Sequence, residues 1–181
     1  MCSSDLQELR VFANEITHLI KTAVDVANTK FKGDYIFAGT KSDSPAYVIT
    51  TDASGTVTGV TYQGNATVPA HEISEGETIS AQVPGANTTG SGPQGLIADT
   101  RTGADFFNHL IALQNHLLAG DTAAVAATDR AALGKDEDNF VFQLGANGAL
   151  QARLETQNTI LGQRKQSVTT LTSNEVDADR S

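Results

Sequence analysis

The first part of the chain carries an unbroken heptad pattern of apolar residues. Apolar positions recur at alternating steps of three and four, which places them along one narrow stripe of a helix. Ser4 and Gln7 have the spacing of a capping box, and Gly33 stands where we expect the helix to stop. A stripe this narrow predicts a long helix that packs against other long helices. Its members are Leu6, Leu9, Ala13, Ile16, Ile20, Ala23 and Ala27.

Further along, the period of the apolar positions changes to two, which is typical of strands with one buried face. The residues Thr51 to Gly55 lie between two such stretches and predict the loop of a β-hairpin. Pro45, Pro69 and Pro84 fall near strand ends, where a missing N–H is tolerated. We therefore predict a small antiparallel β-domain. The predicted strands are 35–39, 46–50, 56–62 and 79–83.

Residues 84–95 are polar and rich in Gly, and predict a flexible link before the helical period returns. Thr102 and Asp105 have the spacing of a second capping box. The helix that follows is expected to end at Gly120, with Asp121 or Thr122 capping the next one. The apolar face of the first of these helices is formed by Phe106, Leu110, Leu113 and Leu117.

From Thr122 to the C-terminus the chain contains no proline and predicts one long helical stretch. Its later part keeps a heptad frame of apolar residues, in which Gln157 and Arg164 occupy intervening positions. These two polar residues fit a solvated helix face, and they equally fit a role in helix register or in contact with a neighbouring subunit. The apolar members of this frame are Leu150, Leu154, Leu161, Val168 and Leu171.

These patterns predict an α+β fold in which a long antiparallel helical rod, a coiled-coil-like bundle, carries an inserted small antiparallel β-domain. We expect residues 4–33 and 96–181 to form the discontinuous rod, with the two ends of the chain packed on each other. Residues 34–95 are expected to form the β-domain at the tip of the rod.

Composition narrows the range of functions. The 12 Lys and Arg residues stand against 21 Asp and Glu residues, a formal net charge of −9. Because nucleic-acid binders need a clustered basic surface and anionic membranes attract basic ones, both kinds of partner are disfavoured. Cys2 is the only cysteine, so the chain cannot form an internal disulfide or a multi-thiolate metal site. The sequence has neither an apolar run of membrane-spanning length nor a signal-peptide pattern, which taken alone indicates a cytoplasmic protein.

Two motifs could indicate ligand binding. Residues 90–95 match Gly-x-Gly-x-x-Gly, but Asn87-Thr88-Thr89 precedes them where a dinucleotide site needs a hydrophobic strand, and Pro93 interrupts the motif. His109 and His116 can share a helix face, but no third ligand accompanies them, so we interpret them as ordinary surface or core histidines.

Clustered acidic residues and glycosylation sequons are equally weak signals. We interpret Glu75-Gly76-Glu77 and Asp136-Glu137-Asp138 as solvated turns, because a catalytic carboxyl group needs an apolar pocket. Asn65 and Asn87 begin formal sequons. No Ser-His-Asp constellation has a recognisable context. We therefore predict no catalytic, cofactor-binding or metal-binding residues, and no cofactor.

A series of short motifs nevertheless resembles one family. Ala27-Asn28-Thr29 followed by Gly33-x-Tyr35-x-Phe37-Ala38-Gly39-Thr40 resembles the helix end and entry strand of the hook-associated protein 3 family, the flagellin-related hook–filament junction proteins. Further matches follow in the family's order across about 150 residues. They are Tyr62-Gln63-Gly64-Asn65, Ile73 to Gly76, Phe106 to Leu110, Leu117 to Asp121, Gly148 to Glu155, and Ser173 to Asp179. Leu150-Gln151 and the inserted Val176 depart from the family pattern.

The resemblance implies a structural subunit, not an enzyme, that joins hook-associated protein 1 to the flagellin filament in a ring of its own copies. It also implies export as an unfolded chain, with help from an export chaperone and without a cleaved signal peptide, to the extracellular flagellum. Family members extend beyond both ends of this chain, so we expect this part alone to be monomeric. Other interpretations are a flagellin core, a surface-adhesion module that uses the Thr-rich β-domain, and a hydrolase within that domain.

Overall fold

The computed structural model describes residues 3–74 and 76–178, and the side chains within 6–74 and 76–175. Cys2, Glu75, the Ser4 capping side chain and the end of the Ser173 to Asp179 motif lie outside these ranges. Within the described residues, no helix combines the length and the apolar character needed to cross a membrane. The helices are α1 (Ser3–Ala27), α2 (Phe106–Ala119), α3 (Thr122–Ala124) and α4 (Arg130–Ala178), with a π-helical turn at Val125–Asp129. The strands are β1 (Lys30–Phe31), β2 (Asp34–Tyr35), β3 (Tyr47–Thr51), β4 (Val57–Tyr62), β5 (His71–Ser74), β6 (Glu77–Ile79), β7 (Ala86–Asn87), β8 (Ala98–Asp99) and β9 (Ala104–Asp105).

Helix α1 buries the predicted stripe from Ala13 onward, and Ala13, Ile20 and Ala27 are almost fully inaccessible to solvent. The helix ends at Ala27 and not near Gly33. Gly33 instead lies in the β1–β2 turn with a φ of 100°. Asn28 explains the early end, since its side chain accepts a hydrogen bond from Tyr47 N (2.9 Å) and donates one to Tyr47 O (2.8 Å).

The β region consists of small sheets. β3 and β4 form the predicted hairpin, antiparallel with Tyr47 opposite Tyr62. Asp52 organises its loop by accepting hydrogen bonds from Ser54 N and Thr56 N. β1–β2 and β5–β6 are also antiparallel pairs, while β8 lies between β7, its parallel neighbour, and β9, its antiparallel one. The predicted strands 35–39 and 79–83 are wrong beyond their first residues, because β2 ends at Tyr35 and β6 ends at Ile79.

The main core lies where α1, α2 and the β3–β4 hairpin meet. Ile20 and Val24 of α1 pack with Phe107 and Leu110 of α2 and with Val57 of β4. Since α1 enters the β region at Ala27 and α2 leaves it at Phe106, these two packed helices run in opposite directions. The helices and the small, mostly antiparallel sheets pack around this hydrophobic core, which confirms the predicted α+β class. The division into residues 4–33 with 96–181 and residues 34–95 stays a prediction.

Residues 84–95 are only partly the exposed flexible link that their composition predicts, because residues 88–93 are exposed but the two ends of the segment are buried. Pro84, Gly85, Ala86 and Asn87 are buried, and so is Gly95. Asn87 holds the loop together by donating hydrogen bonds from Nδ2 to the carbonyls of Ser91 (2.7 Å) and Pro93 (2.6 Å). A short polar amide therefore fixes a loop that its Gly content alone would leave open.

The helix boundaries after the loop are partly as predicted. Helix α2 ends at Gly120, whose φ is 72°, and Asp121 caps α3 by accepting a hydrogen bond from Ala124 N. The predicted capping box of Thr102 and Asp105 is wrong, because Asp105 makes no capping bond and the Thr102 hydroxyl donates to Asp99 O.

The expectation that the two ends of the chain pack on each other is not met within residues 3–178. Helix α1 packs along α2, whereas α4 packs on α2 and β9 with its first part only. The later apolar positions of α4 are left facing solvent, and Leu171 keeps 67% of its surface exposed.

Candidate functional site

The first half of α4 holds the end of this loop, Gln94 to Leu96, through two amide side chains, an arrangement called the clasp below. Asn139 donates hydrogen bonds to Gly95 O (3.0 Å) and Leu96 O (2.8 Å), and accepts one from Gln94 Nε2 (2.6 Å). Gln143, one turn further on, donates to Gln94 O (3.0 Å). Since buried carbonyls need partners, this clasp satisfies backbone groups that the loop itself leaves free. It fixes the β region to the long helix.

Asp99 is a second anchor of the same loop. Its carboxylate is buried and accepts hydrogen bonds from Gly95 N, from Arg101 N and from the Arg101 guanidinium, at 2.6 to 2.9 Å. The guanidinium hydrogen bond lowers the pKa of Asp99 to about 2, and burial opposes that effect. The group is therefore ionised at any pH near neutrality.

Two histidine–carboxylate pairs hold α2 against the start of the long helix. His109 Nδ1 lies 2.8 Å from Asp136 Oδ2, and His116 Nδ1 lies 2.8 Å from Asp129 Oδ2. Asp136 also accepts a hydrogen bond from Asp105 N at 2.8 Å. Burial raises the pKa of Asp136 above its ordinary value, and the hydrogen bond from His109 opposes that effect.

The π-helical turn directs Asp129 inward, since a wider turn changes which residue faces α2. The two histidines thus share a face as predicted, but each has its own carboxylate and a structural role. Within the described residues, no group of three or more His, Cys, Asp or Glu side chains is arranged to hold a metal ion.

Midway along, α4 contacts the β5–β6 hairpin through Glu77. The Glu77 carboxylate accepts hydrogen bonds from the Arg153 guanidinium and from Gln157 Nε2, the latter at 2.9 Å. The Arg153 hydrogen bond lowers the pKa of Glu77 below its ordinary value. Gln157 therefore contacts the β5–β6 hairpin of the same chain, a role that the sequence did not predict. Arg164 is exposed.

An apolar groove of about 740 Å³ lies between the β1–β2 hairpin and α4. Its walls include Phe31, Phe37 and Leu144, and its polar members include Gln143 and Asn147. Phe31 and Leu144 are well exposed, so the groove opens to solvent.

Two apolar stripes outside the groove are also uncovered in the described structure. Phe12, Leu19 and Val26 recur every seven residues on the solvent side of α1. The second stripe is the later heptad frame of α4, with Leu154, Leu161, Val168 and Leu171 exposed. Rows of exposed apolar residues along a helix are the kind of surface that a packing partner covers.

The remaining sequence signals have structural explanations. The Gly90 to Gly95 motif belongs to the loop clasped by α4 and opens no helix. Both sequon asparagines use their side-chain amides internally, since Asn65 Nδ2 donates to Thr40 Oγ1 and Asn87 Nδ2 to two carbonyls. Asp136 to Asp138 lie inside α4 and not in a turn, and Asp136 is only 2% exposed. The turn is therefore wrong for all three residues, and solvation is wrong for Asp136 but correct for Glu137 and Asp138.

Sequence reasoning missed the residues of the clasp. Asn139 and Gln143 are four residues apart and sit on the same helix face as Asp136 and Phe140. A side-chain amide at a position where a helix normally buries an apolar residue predicts a buried hydrogen bond. Their partners could not be found in this way, because main-chain carbonyls carry no sequence signature.

Comparison with known proteins gives a class of fold. No family model matches the chain, and no curated protein matches it by sequence. The crystal structure of Bacillus cereus FlgL matches with a TM-score of 0.62 and 22% sequence identity, over 90% of this chain and 72% of that one. The chain therefore has an FlgL-like fold.

Proposed function

We propose that this protein is a structural subunit of the bacterial flagellum that joins the hook to the flagellin filament. The observation that carries the proposal is the agreement of two independent likenesses. The backbone is similar to that of Bacillus cereus FlgL. The ordered motifs from Ala27 to Asp179 separately resemble the hook-associated protein 3 family, to which FlgL belongs.

The surface of the molecule supports a role in assembly. Two apolar stripes are exposed: Phe12, Leu19 and Val26 on α1, and the later heptad frame of α4, called the α4 seam below. Neighbouring helices commonly cover stripes of this kind. We propose hook-associated protein 1, flagellin and further copies of the same subunit as the assembled neighbours. An export chaperone is the proposed partner before secretion, and the extracellular flagellum is the proposed location.

The buried polar contacts support a scaffold role more than a catalytic one. Asp99, Asp129, Asp136 and Asn139 each have a protein partner that accounts for their burial. A subunit under mechanical load gains from such contacts, because they fix the β region to α4 in one register. We propose no catalytic activity.

Genetic complementation tests the proposal. A full-length version should restore filaments to a strain that lacks the junction protein, and leave a flagellin-deficient strain without filaments, as judged by electron microscopy and swimming. Rescue of the flagellin-deficient strain alone would overturn the proposal in favour of a flagellin. The isolated chain should be monomeric by light scattering at micromolar concentration, and a stable ring there would contradict that expectation.

A further inference from the structure

We infer that copies of this chain join head to tail, with the exposed side of α1 in one copy packed in parallel along the α4 seam of another. The seam is thus occupied by a second copy of this chain, with Phe12 beside Leu161 and Glu15 beside Arg164. The choice of occupant is argued from the opposite charge and equal spacing of the two surfaces and from the directions of the helices. The inference goes beyond the proposed function and does not depend on it.

The α4 seam is out of reach of α1 in its own chain. Helices α1 and α4 both run antiparallel to α2, so they point the same way. The end of α1 lies level with the start of α2, where Phe140 of α4 contacts Phe106. Leu161 lies about 30 Å further along α4, at a rise of about 1.5 Å for each residue. Contact between α1 and this part of α4 therefore requires two copies.

The exposed side of α1 is apolar and acidic. Phe12 and Leu19 are 59% and 47% exposed, and they are followed three residues later by Glu15 and Thr22, which are also exposed. Residues three and four apart share one face of a helix, so these side chains form one surface. Glu8, also exposed, precedes Phe12 by four residues and extends the acidic character of this surface.

The arginine and the lysine of α1 lie on another side of the helix. Arg10 is two residues before Phe12, and Lys21 is two residues after Leu19, so each lies about 200° around the helix from that neighbour. Lys21 Nζ donates a hydrogen bond to Gly55 O (2.9 Å) in the β3–β4 loop, which places it toward the body of the molecule. The negative charge of the exposed side is therefore not compensated by these two residues.

The matching part of the α4 seam is apolar and basic. Leu161 and Val168 are 50% and 61% exposed, and Leu171 follows at 67%. Arg164 lies three residues after Leu161 and four before Val168, so it shares their face, and Lys165 is its neighbour. Arg164 and Lys165 are both exposed, and among the described side chains neither forms an ion pair.

The spacing of the two surfaces is the same, with steps of three, four and three residues. The members are Phe12, Glu15, Leu19 and Thr22 in α1, and Leu161, Arg164, Val168 and Leu171 in α4. In parallel helices each member of the first series lies beside the corresponding member of the second. Two apolar layers then flank a contact between a carboxylate and a guanidinium. A shift by one heptad would place Glu15 beside Gln157 or Leu171 instead, so the charged pair selects this register.

The β region decides the direction of packing. Gln143 and Leu161 are five helical turns apart and therefore lie on the same side of α4. On that side Gln143 already donates to Gln94 O of its own chain. An antiparallel α1 would direct the β region that follows Ala27 of the second copy back along α4 into this occupied space.

Parallel packing directs the β region of the second copy away from the first copy. Both copies then point the same way, and each keeps one surface free for a further copy, which is a head-to-tail contact. Four layers bury little surface, so the contact is weak by itself. This agrees with the expectation that the isolated chain is monomeric at micromolar concentration.

Site-directed cross-linking tests the contact in the 181-residue chain, at concentrations well above micromolar. In a Cys2→Ser background, one chain carries Thr22→Cys and the other Leu171→Cys, which the proposed register places side by side. A short bis-maleimide linker should join these two chains about ten-fold faster than it joins Thr22→Cys to Thr169→Cys. Thr169 is a matched control, because it is exposed and lies about 200° around α4 from Leu171.

Charge reversal then separates the proposed contact from chance collisions. Glu15→Arg in the Thr22→Cys chain should remove the preference for Leu171→Cys, and so should Arg164→Glu with Lys165→Glu in the other chain. Combining the two reversed chains should restore the preference. Glu137→Arg in the Thr22→Cys chain makes the same change of charge away from the contact and should leave the preference in place. Circular dichroism checks that each variant is folded.

Three results would overturn the inference. They are equal rates for Leu171→Cys and Thr169→Cys, a preference that survives charge reversal, and faster joining of Thr22→Cys to Asn158→Cys, which would indicate antiparallel packing. Complementation that succeeds while cross-linking fails would leave the proposed function standing and show only that this contact is wrong.

Discussion

The two halves of α4 have the same secondary structure and different relations to the rest of the chain. Both halves expose apolar side chains, such as Leu144 in the first and Leu171 in the second, but the buried polar residues Asp136 and Asn139 lie in the first half. The first half is therefore held to its own chain through hydrogen bonds, whereas the apolar heptad positions of the second half face solvent. The difference teaches that the apolar pattern alone does not locate the intramolecular interface of this helix.

The largest expected loss of stability comes from removing the clasp that Asn139 and Gln143 form with residues 94–96. Asn139→Leu should lower the free energy of unfolding by about 2–4 kcal/mol, because Leu96 O loses its buried donor and Gly95 O keeps only the 3.4 Å hydrogen bond from Gln143. Asn158→Leu, on the exposed half of the same helix, is the matched control and should change little. Urea denaturation followed by circular dichroism measures both, and equal effects would show that the halves do not differ as described.

A smaller, pH-dependent effect is expected at Asp99, which anchors the loop that the first half of α4 clasps. Its folded pKa, about 2, lies below its ordinary value near 3.8, so ionised Asp99 stabilises the fold fully above about pH 4, and this stability is lost as the pH falls toward 2. Asp99→Asn should therefore be less stable than the parent protein at pH 7. The difference in urea midpoint should shrink between pH 4 and pH 2, and a difference that stays constant with pH would contradict the assignment.

Breaking the contact between Arg153 and Glu77, at the boundary between the two halves of α4, should have a weaker and salt-dependent effect on stability. Arg153→Ala removes the partner of Glu77 and should loosen the β5–β6 hairpin against α4 with a smaller loss of stability than Asp99→Asn, since both side chains are partly exposed. Amide hydrogen exchange in residues 71–79 should become faster, and more so at low salt than at high salt. Arg164→Ala, on the exposed half, is the control and should leave exchange there unchanged.

The smallest effect on folding is expected in the second half. Leu171→Ser should change the free energy of unfolding by no more than about 0.5 kcal/mol, because Leu171 is already exposed. The same substitution in the full-length protein should impair filament formation in the complementation assay if the seam contacts neighbouring subunits. A large loss of stability in the isolated chain would mean instead that the seam is covered within the chain.

Much of the fold followed from local signals. The heptads of α1, the hairpin of β3 and β4, the Gly120 end of α2 and the proline-free length of α4 were all visible as patterns, because each depends on neighbours in sequence. The clasp by Asn139, the pairing of His109 with Asp136 and the early end of α1 at Asn28 were not. Each joins residues at least 19 positions apart, often through a main-chain group that any residue can supply.

The sequence by itself determined that this chain forms long helices around an antiparallel β region, and its motifs indicated the flagellar family that it resembles. Periodicity reports which face of a helix is apolar, since that depends only on the helical repeat. Only the tertiary structure decided which apolar faces are buried, because burial depends on what packs against them. It placed α1 on α2, turned polar residues 84–95 into an anchored loop, and left the later seam of α4 facing solvent.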